Sequence, residues 1–274
     1  MRLPSGHLGG YILKRLIYSL VTLLGLSIIV FTLARILPGD PARMAAGSRA
    51  PEWVIEQIRH QLRLDQPLFM QYFYWISDLF HGDLGYSIVS KRSVTSDALE
   101  YLPASIELII VAAIFEIAGA VILGAIAGKY ANRFADNAIR IFAYIAISIP
   151  SFVWAILLQL IFGWWLRLFP IQGRISEGLV VSRITGFYTI DSLINGNLKA
   201  FFDSVWHLIL PAFALCIGGM AQDARIIRSG MVDNADKDYI LLLISKGVPG
   251  RLITFKYLLK PSVIPAVTVM GMDI

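Results

Sequence analysis

From Leu16 to Ala34 the chain runs for 19 residues without a charged side chain. As a helix rising about 1.5 Å per residue, that run spans roughly 28 Å, close to the hydrocarbon thickness of a bilayer. Similar apolar stretches recur, so that spans are expected at about Leu16–Leu37, Ile106–Gly128, Ile141–Leu166 and Val205–Gln222. A further stretch opens near Pro261 and is still running at Ile274. Lipid offers the backbone no hydrogen-bond partners, so such spans must be helical. The expected fold class is therefore all-α, a polytopic transmembrane helix bundle. Composition agrees: 57% of residues are hydrophobic and 16% charged, against roughly 25% charged in soluble domains. A cleaved leader would have a shorter apolar core and a small-residue cleavage site. Here Pro38-Gly39-Asp40-Pro41 follows the first run, which reads as a retained span. Counted from Pro261, the last stretch rises only about 21 Å, so the chain is expected to break off inside a fifth span.

Charge sets the orientation. Lys14 and Arg15 precede the first span, Lys129, Arg133 and Arg140 follow the second, and Arg225, Arg228, Lys237, Lys246, Arg251, Lys256 and Lys260 follow the fourth. These regions alternate so as to share one side, which the positive-inside rule makes cytoplasmic, along with the N-terminus. The net charge of +5 is thereby accounted for without nucleic acid. The segment from Pro38 to Pro103 is then external, with six basic and eight acidic residues. Within it, Pro51 to Phe80 places Val54, Ile58 and Leu62, then Leu68, Tyr72, Ile76 and Phe80, at helical spacing, and Pro51 suits a helix start. His81-Gly82-Asp83-Leu84-Gly85 ends the pattern. Tyr72, Phe73 and Trp75 suit a helix at the membrane surface, either as a plain cap or as a docking surface for an external partner. Two regions result: an N-terminal helix with an external helical region over 1–94, and a membrane helix bundle over 95–274 carrying a cytoplasmic loop at 233–260.

Enzyme chemistry finds no foothold. His7, His60, His81 and His207 are scattered without ligand spacing, so no metal and no resident cofactor is expected. No phosphate-binding Gly-Lys-Ser/Thr loop is present, and ATP hydrolysis by the P-loop route would need another subunit. An intramembrane serine protease is disfavoured, since Gly85-Tyr86-Ser87 lies outside the spans. The single cysteine, Cys216, sits in an apolar run and behaves as a small hydrophobe. Ionisable residues inside spans point to function. Glu107 lies at the outer edge of the second span and Glu116 deeper, nine residues on. That spacing is about 900° around a helix, so the two face opposite ways. Glu116 either lines a polar pathway or is held by a neighbouring helix. Pro150, flanked by Ser148 and Ser151, is expected to kink the third span, and Pro211 the fourth. Asp273 falls at the end of the chain.

The loop between the fourth and fifth spans reads as helix, turn, helix. Asp233, Asp236 and Asp238 suit a helix N-terminus. Leu241 to Ile244 continue the helix, and Ser245-Lys246-Gly247 with Pro249-Gly250 ends it. A second helix is expected from Arg251 to about Lys260, its basic residues kept near lipid headgroups. This segment resembles the coupling loop of permease subunits of bacterial binding-protein-dependent ABC importers. Asp238-Tyr239-Ile240 and Lys246-Gly247 carry the likeness, with Gly247 at the family's characteristic glycine. Further matches run in order along the chain: Leu37-Pro38-Gly39-Asp40-Pro41-Ala42, Leu64-Asp65-Gln66-Pro67-Leu68, Gly82-Asp83-Leu84-Gly85, Leu102-Pro103-Ala104-Ser105-Ile106-Glu107-Leu108, Ser148-Ile149-Pro150-Ser151-Phe152 and Ala224 to Met231. They are similar to the first of the two permease subunits of dipeptide/oligopeptide importers, whose relatives also carry nickel or glutathione. Leu241-Leu242-Leu243 and Tyr257 depart from the pattern, making the loop greasier.

The resemblance implies a type I importer permease of six spans in the inner membrane, of which four and the start of a fifth are present here. It implies a second permease subunit, two cytoplasmic ATPase subunits, a periplasmic solute-binding protein and surrounding membrane lipid as partners. It also implies that Asp238, Tyr239, Ser245, Lys246 and Gly247 couple to an ATPase. Glu116, Pro150, Ser151 and Pro211 are the candidate pathway or kink residues. The alternatives are nickel or glutathione as cargo, an ion-coupled secondary transporter, for which only Glu116 is available at depth, or a non-transporting fragment.

Overall fold

The computed structural model describes residues 6–36, 40–47, 49–87 and 89–273. The end of the first expected span at Leu37, the adjoining Pro38-Gly39, Ile274 and the side chains of His7 and Asp273 lie outside the described residues. The chain divides into two compact units, Met1–Leu99 and Glu100–Ile274.

The first unit holds α1 (Gly6–Ile36), α2 (Pro41–Ala46), α3 (Glu52–Gln61) and α4 (Leu68–Phe80). Asp40 caps α2, its carboxylate accepting the Ala42 N–H at 3.0 Å and the Arg59 guanidinium at 2.6 Å. Burial pushes this carboxyl up, but the Ala42 N–H and Arg59 outweigh it and hold Asp40 below the usual carboxylate range. The pattern over Pro51–Phe80 forms two helices rather than one, each entered from a proline. They are separated where Arg63 adopts a positive φ of 54°. Tyr72 and Trp75 of α4 close an aromatic cluster on Phe31 of α1, with ring centroids 5.3 and 5.6 Å away. Ser27 and the Tyr72 hydroxyl share a hydrogen bond of 2.8 Å. The amphipathic face of α4 thus has a defined neighbour, the far turn of α1.

The second unit is organised by α9 (Leu198–Ala235), against which α6 (Phe134–Ser148), α7 (Ser151–Trp165), α8 (Tyr188–Ile194) and α11 (Gly250–Met272) all pack. α5 (Val94–Lys129) starts in the first unit and supplies the second with Glu107, Glu116 and a row of glycines. Lipid tails give no hydrophobic drive between helices, so close packing depends on small side chains. α9 presents them: Ala212, Ala214, Cys216, Ala221 and Ala224 are buried, with Gly218 and Gly219 between. α5 meets this face through Gly124, where an added Cβ would lie 2.7 Å from Ile227 Cβ and 3.0 Å from the Ala224 carbonyl oxygen. Near the end of α9, Arg228 clamps the fully buried Asp136 of α6 with two bonds of 2.6 Å. The Asn132 N–H adds a third at 2.7 Å.

Among the described residues four helices are long and apolar enough to cross a membrane: Gly9–Ile36, Val94–Lys129, Leu198–Ala235 and Gly250–Met272. α6 and α7 make a fifth crossing if taken together, but they are bent by 106° at Ser148–Ser151. This is a break, not the modest kink expected from Pro150. Pro211 lies inside α9, which runs through it as one helix. The expected separate helix from Arg251 to Lys260 is also corrected. Wide π turns at Ile253–Leu259 join it to the apolar stretch beyond, giving one helix of 23 residues, about 34 Å long and enough for a bilayer.

Candidate functional site

Three features carry polar or conformational chemistry in the second unit. The first is a cavity of about 680 Å³ where α5, the α6–α7 break and α9 meet. Glu116, Pro150 and Ser151 line it together, while Pro211 does not. Pro150 has no N–H to give the Ala146 carbonyl four residues earlier. The indole N–H of Trp154 takes over that carbonyl at 3.2 Å, swinging back across the break. The hydroxyl of Ser148 bonds Tyr144 O at 2.7 Å. The break is thus stable because a side chain beyond it replaces the lost bond, leaving an open corner in the bundle. Glu116 is buried and rests on Gly219, where a Cβ would collide with its carboxylate. Asp223, one turn beyond Gly219 on α9, is also fully buried, and sequence patterning passed over it among the neighbouring basic residues.

The second feature is a lock on the N-terminal half of α5. Glu107 is buried as well, held by Arg174 and Thr189 of the segment after α7. Its Oε1 accepts the Thr189 N–H at 2.8 Å and the Thr189 hydroxyl at 2.5 Å, and its Oε2 accepts Arg174 at 2.8 Å. Arg174 also donates to Gly186 O at 3.0 Å and stacks 4.1 Å over the Tyr188 ring. Asp191 holds the turn itself, accepting N–H bonds from Ile184, Thr185 and Gly186 at 3.2, 2.8 and 3.0 Å and the Thr185 hydroxyl at 2.7 Å. Burial pushes the Asp191 carboxyl up, but the Thr185 hydroxyl and these backbone donors outweigh it and keep it below the usual range. Glu107 and its partners Arg174 and Thr189 lie 67 and 82 residues apart in sequence, and nothing in local spacing announced them.

The third feature is α10 (Asp238–Ser245) with its turn. Ile240 is its buried anchor, while Tyr239, Leu241, Leu242 and Ile244 are exposed. Gly247, at φ +73°, ends the helix. Its N–H bonds Ile244 O at 2.9 Å and the Val248 N–H bonds Leu243 O at 3.1 Å, the paired pattern of a left-handed glycine cap. Ser245 Oγ donates to Leu241 O at 2.6 Å, and the Tyr239 hydroxyl reaches Tyr257 O at 3.4 Å. Only Asp238 lies in the first turn of this helix. Asp233 and Asp236 belong to the end of α9, the last as its C-cap, so the expected acidic N-terminus is reduced to one residue.

The family described as "Binding-protein-dependent transport system inner membrane component" matches residues 120–274, and its N-terminal companion matches residues 9–109. The chain belongs to this family. The "Probable D,D-dipeptide transport system permease protein" of Escherichia coli K12 is 38% identical over 263 residues, covering 95% of this chain and 77% of that protein. A di/tripeptide transport system permease protein of Pseudomonas aeruginosa is 32% identical, covering 96% and 79%. A glutathione transport system permease protein of Escherichia coli O6:H1 is 33% identical, covering 96% and 77%. The three features of this inner membrane component are a helix corner inside the bundle, a braced N-terminal half of α5, and a short apolar helix, α10.

Proposed function

We propose that this inner membrane component is the first permease half of an ABC importer for small peptides. The second half is a homologous permease, the cargo is delivered by a periplasmic solute-binding protein, and energy comes from two cytoplasmic ATPase subunits. The peptide cargo is supported by the dipeptide, di/tripeptide and glutathione permeases among the relatives. Glutathione remains the second reading for that reason. Among the described residues no cluster suits a metal ion, so a metal cargo has no support from a ligand set in this chain.

One observation carries the mechanical side: α10 displays Tyr239, Leu241, Leu242 and Ile244 to its surroundings around a single buried anchor. A short helix so apolar gains by docking into a groove on another protein. Lys129, Arg133, Arg140 and the basic residues after α9 put it on the cytoplasmic side, with the N-terminus. There Asp238, Tyr239, Ser245, Lys246 and Gly247 form the contact with one ATPase subunit, whose nucleotide state biases the helices between two arrangements. Gly247→Arg tests this in vesicles holding both permeases, the ATPase subunits and the binding protein. No atom lies within 4 Å of a Cβ added at Gly247, but the φ of +73° strains any side chain there, so co-purification of the subunits is checked and Gly247→Asn, since Asn tolerates that backbone, serves as the control for the cap. Peptide uptake and cargo-stimulated ATP hydrolysis should fall about tenfold or more, equivalent to at least 1.4 kcal/mol of lost coupling. Uptake at the unsubstituted rate rules the coupling role out.

A further inference from the structure

In the first unit a groove of about 1270 Å³ lies between the last turns of α1, one face of α4 and the 81–86 segment. Ordinary small-molecule pockets run from roughly 300 to 1,000 Å³, so this groove suits a long or bulky occupant. Its α1 wall, Ser27, Val30, Phe31 and Ala34, belongs to a spanning helix whose most apolar window is only 6% buried. From Ser27 to Arg35 the helix rises about 12 Å, so the groove begins among acyl chains and ends at headgroup depth. Tyr74 and Trp75 form the facing wall, and such side chains are at home where chains meet headgroups. Arg35 stands in the last turn of α1. Arginine at the end of a span commonly extends its head away from the hydrocarbon. Here the guanidinium carbon lies 5.2 Å from the Phe31 ring centroid, one turn back along the helix. No carboxylate pairs with Arg35 among the described residues. The two acids of the groove are engaged elsewhere, Asp78 with Arg63 at 3.4 Å and Asp83 with the Gly85 N–H at 2.8 Å.

We propose that this groove holds one glycerophospholipid, with its phosphate on Arg35 and an acyl chain laid along Val30, Phe31 and Trp75. A planar guanidinium offers a phosphate two parallel N–H donors, and it stacks on an aromatic ring without losing them. Phe31 holds that fork in place before the lipid arrives, which lowers the cost of ordering it. Bulk lipid along the rest of α1 meets exposed leucine, isoleucine and valine with no such anchor. The bound molecule is therefore distinct from the exchanging lipid around it, and it ties the helices of the first unit to the bilayer. The assignment is independent of the cargo.

The test uses the full transporter in vesicles doped with a phosphatidylglycerol that carries a photoactivatable diazirine on one acyl chain. The phosphate-free diacylglycerol with the same chains is the comparison, and adducts are located by peptide mass spectrometry. The phospholipid is expected to label the groove walls saturably, with unlabelled phosphatidylglycerol competing. Labelling at Leu20 and Leu24, exposed in mid-span, should rise in proportion to the probe. Arg35→Gln should cut groove labelling about tenfold, roughly the worth of one hydrogen bond to a charged group, while Arg35→Lys keeps most of it. Ala34→Trp, which fills the groove and leaves the charge, should remove the labelling as well. Unchanged labelling at Leu20 and Leu24 in each variant shows that α1 still spans the membrane. Equal groove labelling by the diacylglycerol, labelling that never saturates, no effect of Arg35→Gln, or no groove labelling at all overturns the proposal. Displacement of the probe by inorganic phosphate also overturns it, and assigns Arg35 to a free anion.

Discussion

α1 and α9 are both long apolar helices, and they are built for opposite surroundings. Only 6% of the most apolar window of α1 is buried, against 44% in α9. α1 is studded with exposed leucine, isoleucine and valine, and it meets α4 through the Phe31 ring cluster and the Ser27–Tyr72 hydrogen bond. α9 buries a row of alanines, and it carries the buried acid Asp223 and Arg228. Large apolar residues suit lipid, whereas small and polar ones let helices approach and specify their register. Membrane helices of similar hydrophobicity can thus be ranked as peripheral or central by what interrupts the apolar run.

The sharpest way to break that contrast is at the ion pairs. Asp136→Ala strands Arg228 beside a buried surface, and losing one partner of such a pair costs about 3–5 kcal/mol. The Arg43–Glu52 pair of the first unit is equally short at 2.7 Å, but its side chains are 54% and 77% exposed. Glu52→Ala should cost about 1 kcal/mol or less. Thermal unfolding of the detergent-solubilised transporter, followed by exposure of an engineered thiol in each unit, separates the two. Equal shifts would mean that burial does not govern these pairs.

Next in size is the Asp191 turn. Asp191→Ala leaves three backbone N–H groups unpaired in a covered turn, and should cost about 3 kcal/mol at neutral pH. The folded carboxyl lies below its ordinary value. Its stabilisation is therefore fully present above the unfolded pKa of about 3.9 and disappears as pH falls through the lower folded value. Amide exchange at Ile184 to Gly186 should be flat from neutral pH to about 5, after correction for intrinsic rates. Below about pH 4 the gap between Asp191→Ala and the parent should close. A gap that widens in acid contradicts the sign.

Much of this was legible in the sequence, and the exceptions share a cause. The apolar runs fall within each helix long and apolar enough to cross a membrane among the described residues, since lipid imposes length and apolarity on each span by itself. Gly247 was legible because a left-handed cap is a local demand. The 106° break was underestimated, because the sequence shows that Pro150 frees a carbonyl but not that Trp154 will capture it from the far side. Glu107 needed partners 67 and 82 residues away, Arg174 and Thr189, and their spacing along the chain carries no trace of that pairing. The merging of Arg251–Lys260 with the next span was missed because its basic residues read as a loop. A helix can carry them at its end, where they reach the headgroups.

The smallest effect tests the packing rule itself, with one methyl group placed on each kind of helix. Gly124 of α5 faces α9, where a new Cβ would sit 2.7 Å from Ile227 Cβ and 3.0 Å from the Ala224 carbonyl oxygen. Neither the β-branched stem nor the backbone yields readily, so Gly124→Ala should cost about 1–3 kcal/mol. Gly25 of α1 has no atom within 4 Å of the same construction. There the methyl only restricts the unfolded backbone, so Gly25→Ala should be neutral or stabilise by about 0.5–1 kcal/mol. Urea or heat unfolding of the two variants beside the parent transporter gives opposite signs if close approach belongs to α9 and its neighbours alone. Destabilisation by Gly25→Ala of the size seen at Gly124 would instead reveal that α1 is packed against a partner in the assembled complex, and would move it from the lipid-facing class to the central one.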